Sequence, residues 1–105
     1  MNPYLQRVLA DIEANFSDSE YSVELLASNL CTTRITLYRK VKSLSGQNPS
    51  DLLIDYRLNK SCQLLKEKQM PVQDVAYAVG FSDYAYFSRR FKARFGQSPK
   101  DFAAL

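Results

Sequence analysis

Histidine is absent from this 105-residue chain. That absence excludes Ser-His-Asp and Cys-His nucleophilic catalysis, removes the commonest general base and leaves no His-bearing zinc site. Cysteine is scarce. Cys31 and Cys62 lie far apart and match no metal-ligand spacing, so they read as buried thiols of a reducing compartment rather than as a bridge. The three glycines, Gly46, Gly80 and Gly96, form neither common phosphate-cradling pattern. No apolar run approaches the roughly 20 residues of a membrane span, and the N-terminus lacks the charged-then-apolar layout of a signal peptide. The expectation is a cytoplasmic segment without membrane contact, without cofactor, metal site or catalytic residue, and not an enzyme.

What is present suits one modest folded domain. Hydrophobic residues make up 46% and charged residues 24%, which argues against disorder. Net charge is only +3, but it is unevenly distributed. The first 33 residues set Arg7 against five carboxylates and total −4. Arg34 to Lys42 then carries four cations and no acid, and Arg89 to Arg94 carries another four. Two basic segments therefore follow an acidic start. On charge alone they are either solvated helix faces or an electrostatic footprint for nucleic acid.

The chain also repeats itself. Leu37-Tyr38-Arg39-Lys40-Val41-Lys42 and Gly46-Gln47-Asn48-Pro49-Ser50-Asp51-Leu52 recur 50 residues later as Phe87-Ser88-Arg89-Arg90-Phe91-Lys92 and Gly96-Gln97-Ser98-Pro99-Lys100-Asp101-Phe102. Upstream the match continues at a spacing of 49, pairing Val23, Leu26, Ala27 and Leu30 with Val72, Val75, Ala76 and Val79, so the first turn is one residue shorter. A unit of this length is supersecondary rather than a domain.

Each unit reads as two helices. The four matched apolar positions follow i, i+3, i+4, i+7, the stripe of an amphipathic helix. A tight turn follows, at Cys31-Thr32 or Gly80-Phe81, and a capping hydroxyl, Thr33 or Ser82, opens the next helix. That helix ends at Gly46 or Gly96, suited to a left-handed cap. Asn48-Pro49 and Ser98-Pro99 start another helix at once, with Asp51 or Asp101 in the first turn. No breaker intervenes between Pro49 and Pro71, so one helix of nearly twenty residues, about 27 Å long, links the units. Pro3 to Asn15 forms a helix ahead of everything. The predicted fold is all-α with seven helices: a first helix-turn-helix unit over 1–48, a linker helix over 49–69 and a second unit over 70–105, both units homeodomain-like.

The outward faces point to duplex DNA. In the helix after Thr33, Leu37, Val41 and Leu44 form the apolar stripe, while Ile35, Tyr38, Arg39 and Lys42 share the opposite face. In the helix after Ser82, Phe87 and Phe91 face inward, flanked by Phe95, and Ala85, Ser88, Arg89 and Lys92 face outward with Tyr84 at the edge. A face free of acids that offers Arg to guanine, Lys to phosphate and a small apolar group to a thymine methyl suits the major groove. A linker of this length would let two such helices enter groove segments about 34 Å apart. Tandem rather than two-fold repetition predicts an asymmetric, bipartite site. Arg57, set among Leu53, Ile54, Leu58 and Leu64, reads as a structural ion pair or carbonyl contact, since an unpaired charge there would be costly.

The run Asp74-Val75-Ala76-Tyr77-Ala78-Val79-Gly80-Phe81-Ser82-Asp83, continuing through Tyr84-Ala85-Tyr86-Phe87-Ser88-Arg89-Arg90-Phe91-Lys92 to Phe95-Gly96-Gln97-Ser98-Pro99, resembles the AraC/XylS signature. Ser22 to Pro49 and the linker residues Tyr56-Arg57-Leu58 and Leu64-Leu65 fit the same pattern. The resemblance implies a transcription-factor domain whose third and sixth helices enter the groove beside a sensory or receiver domain. The first unit is similar to those at the C-terminus of hybrid two-component sensor regulators. Carried over by position, Ile35, Tyr38, Arg39, Tyr84, Ala85, Ser88 and Arg89 face bases, and Thr33, Arg34, Lys42, Ser82 and Lys92 meet phosphates. Family members often carry long polar side chains near Tyr84 and Ala85, so the second unit is expected to add more affinity than specificity. The partners implied are double-stranded DNA, the transcription machinery and a sensory or receiver domain, with the segment itself a monomer. A helical protein-interaction module is the alternative reading, and Tyr38 and Tyr84 read equally well as partly buried aromatics.

Overall fold

A computed structural model describes residues 2–105. In chain order the helices are α1 Pro3–Asn15, α2 Val23–Asn29, α3 Arg34–Ser45, α4 Pro49–Glu67, α5 Val72–Ala78, α6 Tyr84–Phe95 and α7 Pro99–Ala103. The all-helical expectation of seven elements holds, with no strand among the described residues.

Local chemistry sets the helix ends. The Asn2 side chain accepts hydrogen bonds from the Tyr4 and Leu5 amides at 2.8 and 3.3 Å, and Pro3 occupies the first turn, where its missing N–H costs nothing. Ser22 caps α2 and Thr33 caps α3, each accepting an amide three residues on. Asn48 does the same for α4, accepting the Asp51 amide at 2.8 Å. α3 and α6 both end on a glycine in the left-handed region, Gly46 at φ 79° and Gly96 at φ 81°, whose missing Cβ would meet nothing within 4 Å. Backbone conformation, not space, therefore requires glycine there.

One start differs from expectation. Asp83, not Ser82, caps α6, its carboxylate accepting the Ala85 and Tyr86 amides at 2.9 and 3.3 Å. The cause is the extra residue in the second turn: α2 and α5 are offset by 49 residues, whereas α3 and α6 are offset by 50, so Thr33 corresponds to Asp83. A carboxylate also suits the positive end of the helix dipole better than a hydroxyl.

The two turns are otherwise alike. Thr32 N–H donates to the Ala27 carbonyl and Phe81 N–H to the Ala76 carbonyl, both at 3.0 Å, the long-range bond of a Schellman turn. That turn needs a left-handed residue, supplied by Gly80 at φ 101° in the second unit and by Cys31 at φ 57° in the first. Cys31 is consequently exposed, contrary to its expected burial, and Cys62 is only half-buried; both are free thiols. Burial still pushes the Cys62 thiol above its ordinary range, against the opposing charges of Lys66 and Arg94. Because an L side chain is strained at positive φ, Cys31→Gly should stabilise the fold by about 1 kcal/mol, net of the greater entropy of glycine in the unfolded chain. The measurement is the thermal midpoint, expected to rise by about 4 °C.

The chain divides into two compact units. The first comprises the described residues up to Phe16 together with Glu20–Tyr56, and the second Ser17–Ser19 with Arg57–Leu105. In the first, Val8 and Ile12 of α1, Leu26 and Ala27 of α2, Leu37 and Val41 of α3 and Leu53 of α4 share one core with Tyr21, Val23 and Leu30. The Tyr21 hydroxyl donates to Asp11 at 2.5 Å and the Asn29 amide reaches the same carboxylate at 3.1 Å, tying α1 to the start and end of α2. In the second unit Phe87 and Phe91 stand at the places of Leu37 and Val41, beside buried aliphatics such as Leu58, Leu65, Val75 and Val79. Phe87 stands 5.1 Å from Phe81 and 5.7 Å from Phe91, and Phe91 stands 4.6 Å from Phe95 and 5.5 Å from Phe102. Arg57 is 6% exposed, donates to the Asp18 carbonyl at 3.1 Å and lies 6.0 Å from the Phe81 ring centre. It is a carbonyl-bound structural arginine, as its position in the sequence implied.

Candidate nucleic-acid interface

Two fully buried residues per helix fix which side of α3 and α6 faces out. Leu37 and Val41 anchor α3, and Phe87 and Phe91 anchor α6 at matching positions. The third expected anchor of α3 fails, since Leu44 is 42% exposed. It borders an open cleft of about 560 Å3, lined also by Asn2, Tyr4, Thr36, Arg39, Lys40 and Ser43, so no helix of its unit covers its outer side.

On the far side of α3, Arg34, Ile35, Tyr38, Arg39 and Lys42 are all exposed. Tyr38, at 48% exposure, belongs to the surface rather than the core. Arg34 forms an ion pair with Glu24 of α2. The Glu24 carboxyl is held below its ordinary range first by its own backbone N–H at the start of α2, against an opposing effect of burial, and then by Arg34 and the Ser22 hydroxyl. Both partners of the pair are more than half exposed, so the contact is weak and exchangeable. Lys42 donates to the Gly46 carbonyl at 3.0 Å, where a cation also meets the negative end of the helix. The Thr33 hydroxyl is committed to its cap and lies 3.0 Å from the Thr36 hydroxyl.

α6 presents a plainer face. Ala85, Arg89 and Lys92 are exposed, whereas Ser88 and Tyr84 are half-buried, the Tyr84 ring lying 6.1 Å from Phe87. Ser82 is exposed just ahead of the capping Asp83. The four cations of this segment divide by role. Arg90 donates to the Tyr86 hydroxyl at 3.4 Å and Arg94 to Asn59 at 3.4 Å, so both serve the fold. Arg89 and Lys92 face outward, with the Arg89 guanidinium 5.9 Å from the Tyr86 ring.

Three features escaped the sequence reading. Tyr86 supports both Arg89 and Arg90, and its i+3 and i+4 spacing to them was available as a signal. Glu24 holds Arg34 across a turn, for which sequence spacing offers no cue. Lys40 leaves the outward face and lies over the Tyr4 ring at 4.8 Å, beside the cleft. Among the described residues no group of three or more carboxylate or cysteine side chains is placed to hold a metal ion, and no helix is long and apolar enough to cross a membrane.

Comparison with known proteins agrees with the all-helical fold. A family model described as a helix-turn-helix domain matches residues 26–104. The HTH-type transcriptional regulator AlkR of Acinetobacter baylyi is 36% identical over 97% of the chain, which aligns to 33% of AlkR. The chain spans about a third or less of the length of the curated relatives it matches. Among solved structures, the C-terminal domain of the response regulator yesN from Fusobacterium nucleatum superposes with a TM-score of 0.91 at 25% identity, covering 97% of this chain and 99% of that one. The DNA-binding domain of AdpA, solved in complex with a target DNA, superposes with a TM-score of 0.86 at 28% identity, covering 99% of this chain and 92% of that one. This chain belongs to the AraC-type helix-turn-helix family of transcription-regulator DNA-binding domains.

Proposed function

We propose that this chain is the DNA-reading segment of a longer transcriptional regulator, working in the cytoplasm under the control of a sensory or receiver domain and acting on the transcription machinery. The observation that carries the reading is the pair of exposed, acid-free faces that one repeat builds on α3 and α6. Ile35, Tyr38 and Arg39 read bases from α3, and Tyr84, Ala85, Ser88 and Arg89 from α6. Thr33, Arg34, Lys42, Ser82 and Lys92 meet phosphates. Arg34 must exchange Glu24 for a phosphate, which costs little because both side chains are exposed and water screens the pair. Lys42 likewise trades one exposed carbonyl for a phosphate oxygen.

The site is bipartite and asymmetric because the units repeat in tandem, and the segment binds as a monomer. Its first half carries most of the specificity, since α6 offers only a methyl and a hydroxyl where α3 offers Ile35 and Tyr38. Selection from a randomised duplex pool at moderate salt tests this: a non-palindromic motif with centres about one helical turn apart is expected. No enrichment would favour a protein-interaction module instead. Within the enriched duplex, Arg39→Ala should weaken binding about tenfold or more and relax preference at one base pair. Lys42→Ala should weaken all sequences alike and lower the salt slope by about one. Equal, sequence-independent losses from both variants would overturn this division of roles.

A further inference from the structure

Ile35 is 73% exposed on α3, where its outward neighbours Arg34, Tyr38, Arg39 and Lys42 are cations and a tyrosine. A β-branched apolar side chain set in water at the second position of α3 gains nothing for the fold. It does shape the surface. Ile35, Tyr38, Arg34 and Arg39 line an open depression whose wall is almost entirely carbon, built from the isoleucine, the tyrosine ring and the aliphatic stems of the two arginines.

We infer that this notch receives the C5-methyl group of a pyrimidine, thymine foremost, making Ile35 and Tyr38 the residues that select a methylated pyrimidine in the half-site read by α3. The inference rests on the DNA reading above and names the chemistry of one contact within it. In the major groove the thymine methyl is the only apolar group on a DNA base edge; guanine, adenine and cytosine present donors and acceptors there. Pressed against Ile35 those polar edges would lose water and gain no partner, so the notch favours the methyl and penalises its alternatives. Arg39 contributes its stem to the wall and keeps its guanidinium for a guanine within about one base pair, the reach of an i+4 neighbour on the same face. At the matching positions of α6, Ala85 and Ser88 carry too little carbon to build such a wall. The larger methyl dependence therefore belongs to the α3 half of the site.

The test deletes the methyl from the DNA rather than the side chain from the protein. In the duplex enriched from the random pool, each thymidine is replaced singly by deoxyuridine and Kd is measured by fluorescence anisotropy at fixed salt. One position in the α3 half-site should lose about fourfold, the equivalent of one buried methyl, and the others less than twofold. Placing 5-methylcytosine there in place of cytosine should recover a similar factor. Ile35→Ala, an exposed substitution, should bind the thymidine and deoxyuridine duplexes equally, whereas Lys42→Ala weakens both and keeps their ratio. An enriched site indifferent to every uracil, or a uracil penalty that survives in Ile35→Ala, overturns the notch and leaves the DNA reading standing. A pool that yields no enriched duplex overturns both.

Discussion

Phe87→Ala is expected to destabilise the protein by about 4 kcal/mol and to abolish tight DNA binding without altering any side chain that faces the groove. Phe87 is fully buried, and its ring lies within 6.1 Å of Phe81, Phe91 and Tyr84, so truncation empties the centre of the second unit. A domain of this size has roughly 5–15 kcal/mol to lose, so the remaining margin is small. The matching position in the first unit is Leu37, also fully buried. Leu37→Ala should cost less, about 3 kcal/mol, because a leucine leaves a smaller cavity. In both variants the outward face of the helix is intact in sequence but no longer anchored. Affinity should therefore fall with stability and recover with Phe87→Leu, which refills most of the volume. Urea melts alongside binding isotherms decide the matter. A Phe87→Ala protein with an unchanged urea midpoint would mean that the aromatic row does not hold α6.

The same residues explain what the sequence disclosed and what it concealed. Helix limits were legible because they are local: Pro3, Pro49 and Pro99 in first turns, Thr33, Asn48 and Ser98 as caps, and Gly46 and Gly96 as left-handed ends all act within four residues of themselves. The buried faces were legible for the same reason, apart from Leu44, whose exposure depends on what lies over it rather than on its place in the helix. The cap of α6 was misread because Ser82 and Asp83 are adjacent good cappers, and only the register of the repeat separates them. The reach of Arg34 to Glu24 and the departure of Lys40 to Tyr4 were not readable, since each pairs residues from different helices. The side chains hardest to assign were long cations, which settle where a partner is found; four of the eight in the two basic segments are engaged with carboxylate, carbonyl, amide or hydroxyl oxygens.

Arg57 tests that distinction between cations that serve the fold and cations that meet DNA. Arg57→Ala should lower stability by about 3 kcal/mol, because it leaves the Asp18 carbonyl without its donor and a gap beside Phe81 in a place only 6% exposed. Arg57→Lys should recover little. An ammonium is a compact, strongly hydrated charge that lacks the flat face with which a guanidinium stacks on an aromatic ring. Arg57→Met, which restores bulk without charge, should do better than lysine if filling the gap is the larger part of the cost. The decisive readout is the slope of log affinity against log salt for variants that remain folded. A phosphate-binding cation takes about one unit of slope with it, as expected for Lys42→Ala, whereas loss of Arg57 should leave the slope unchanged and shift only the denaturation midpoint. An Arg57→Ala protein of unchanged stability and reduced slope would place Arg57 at the DNA and remove its structural role.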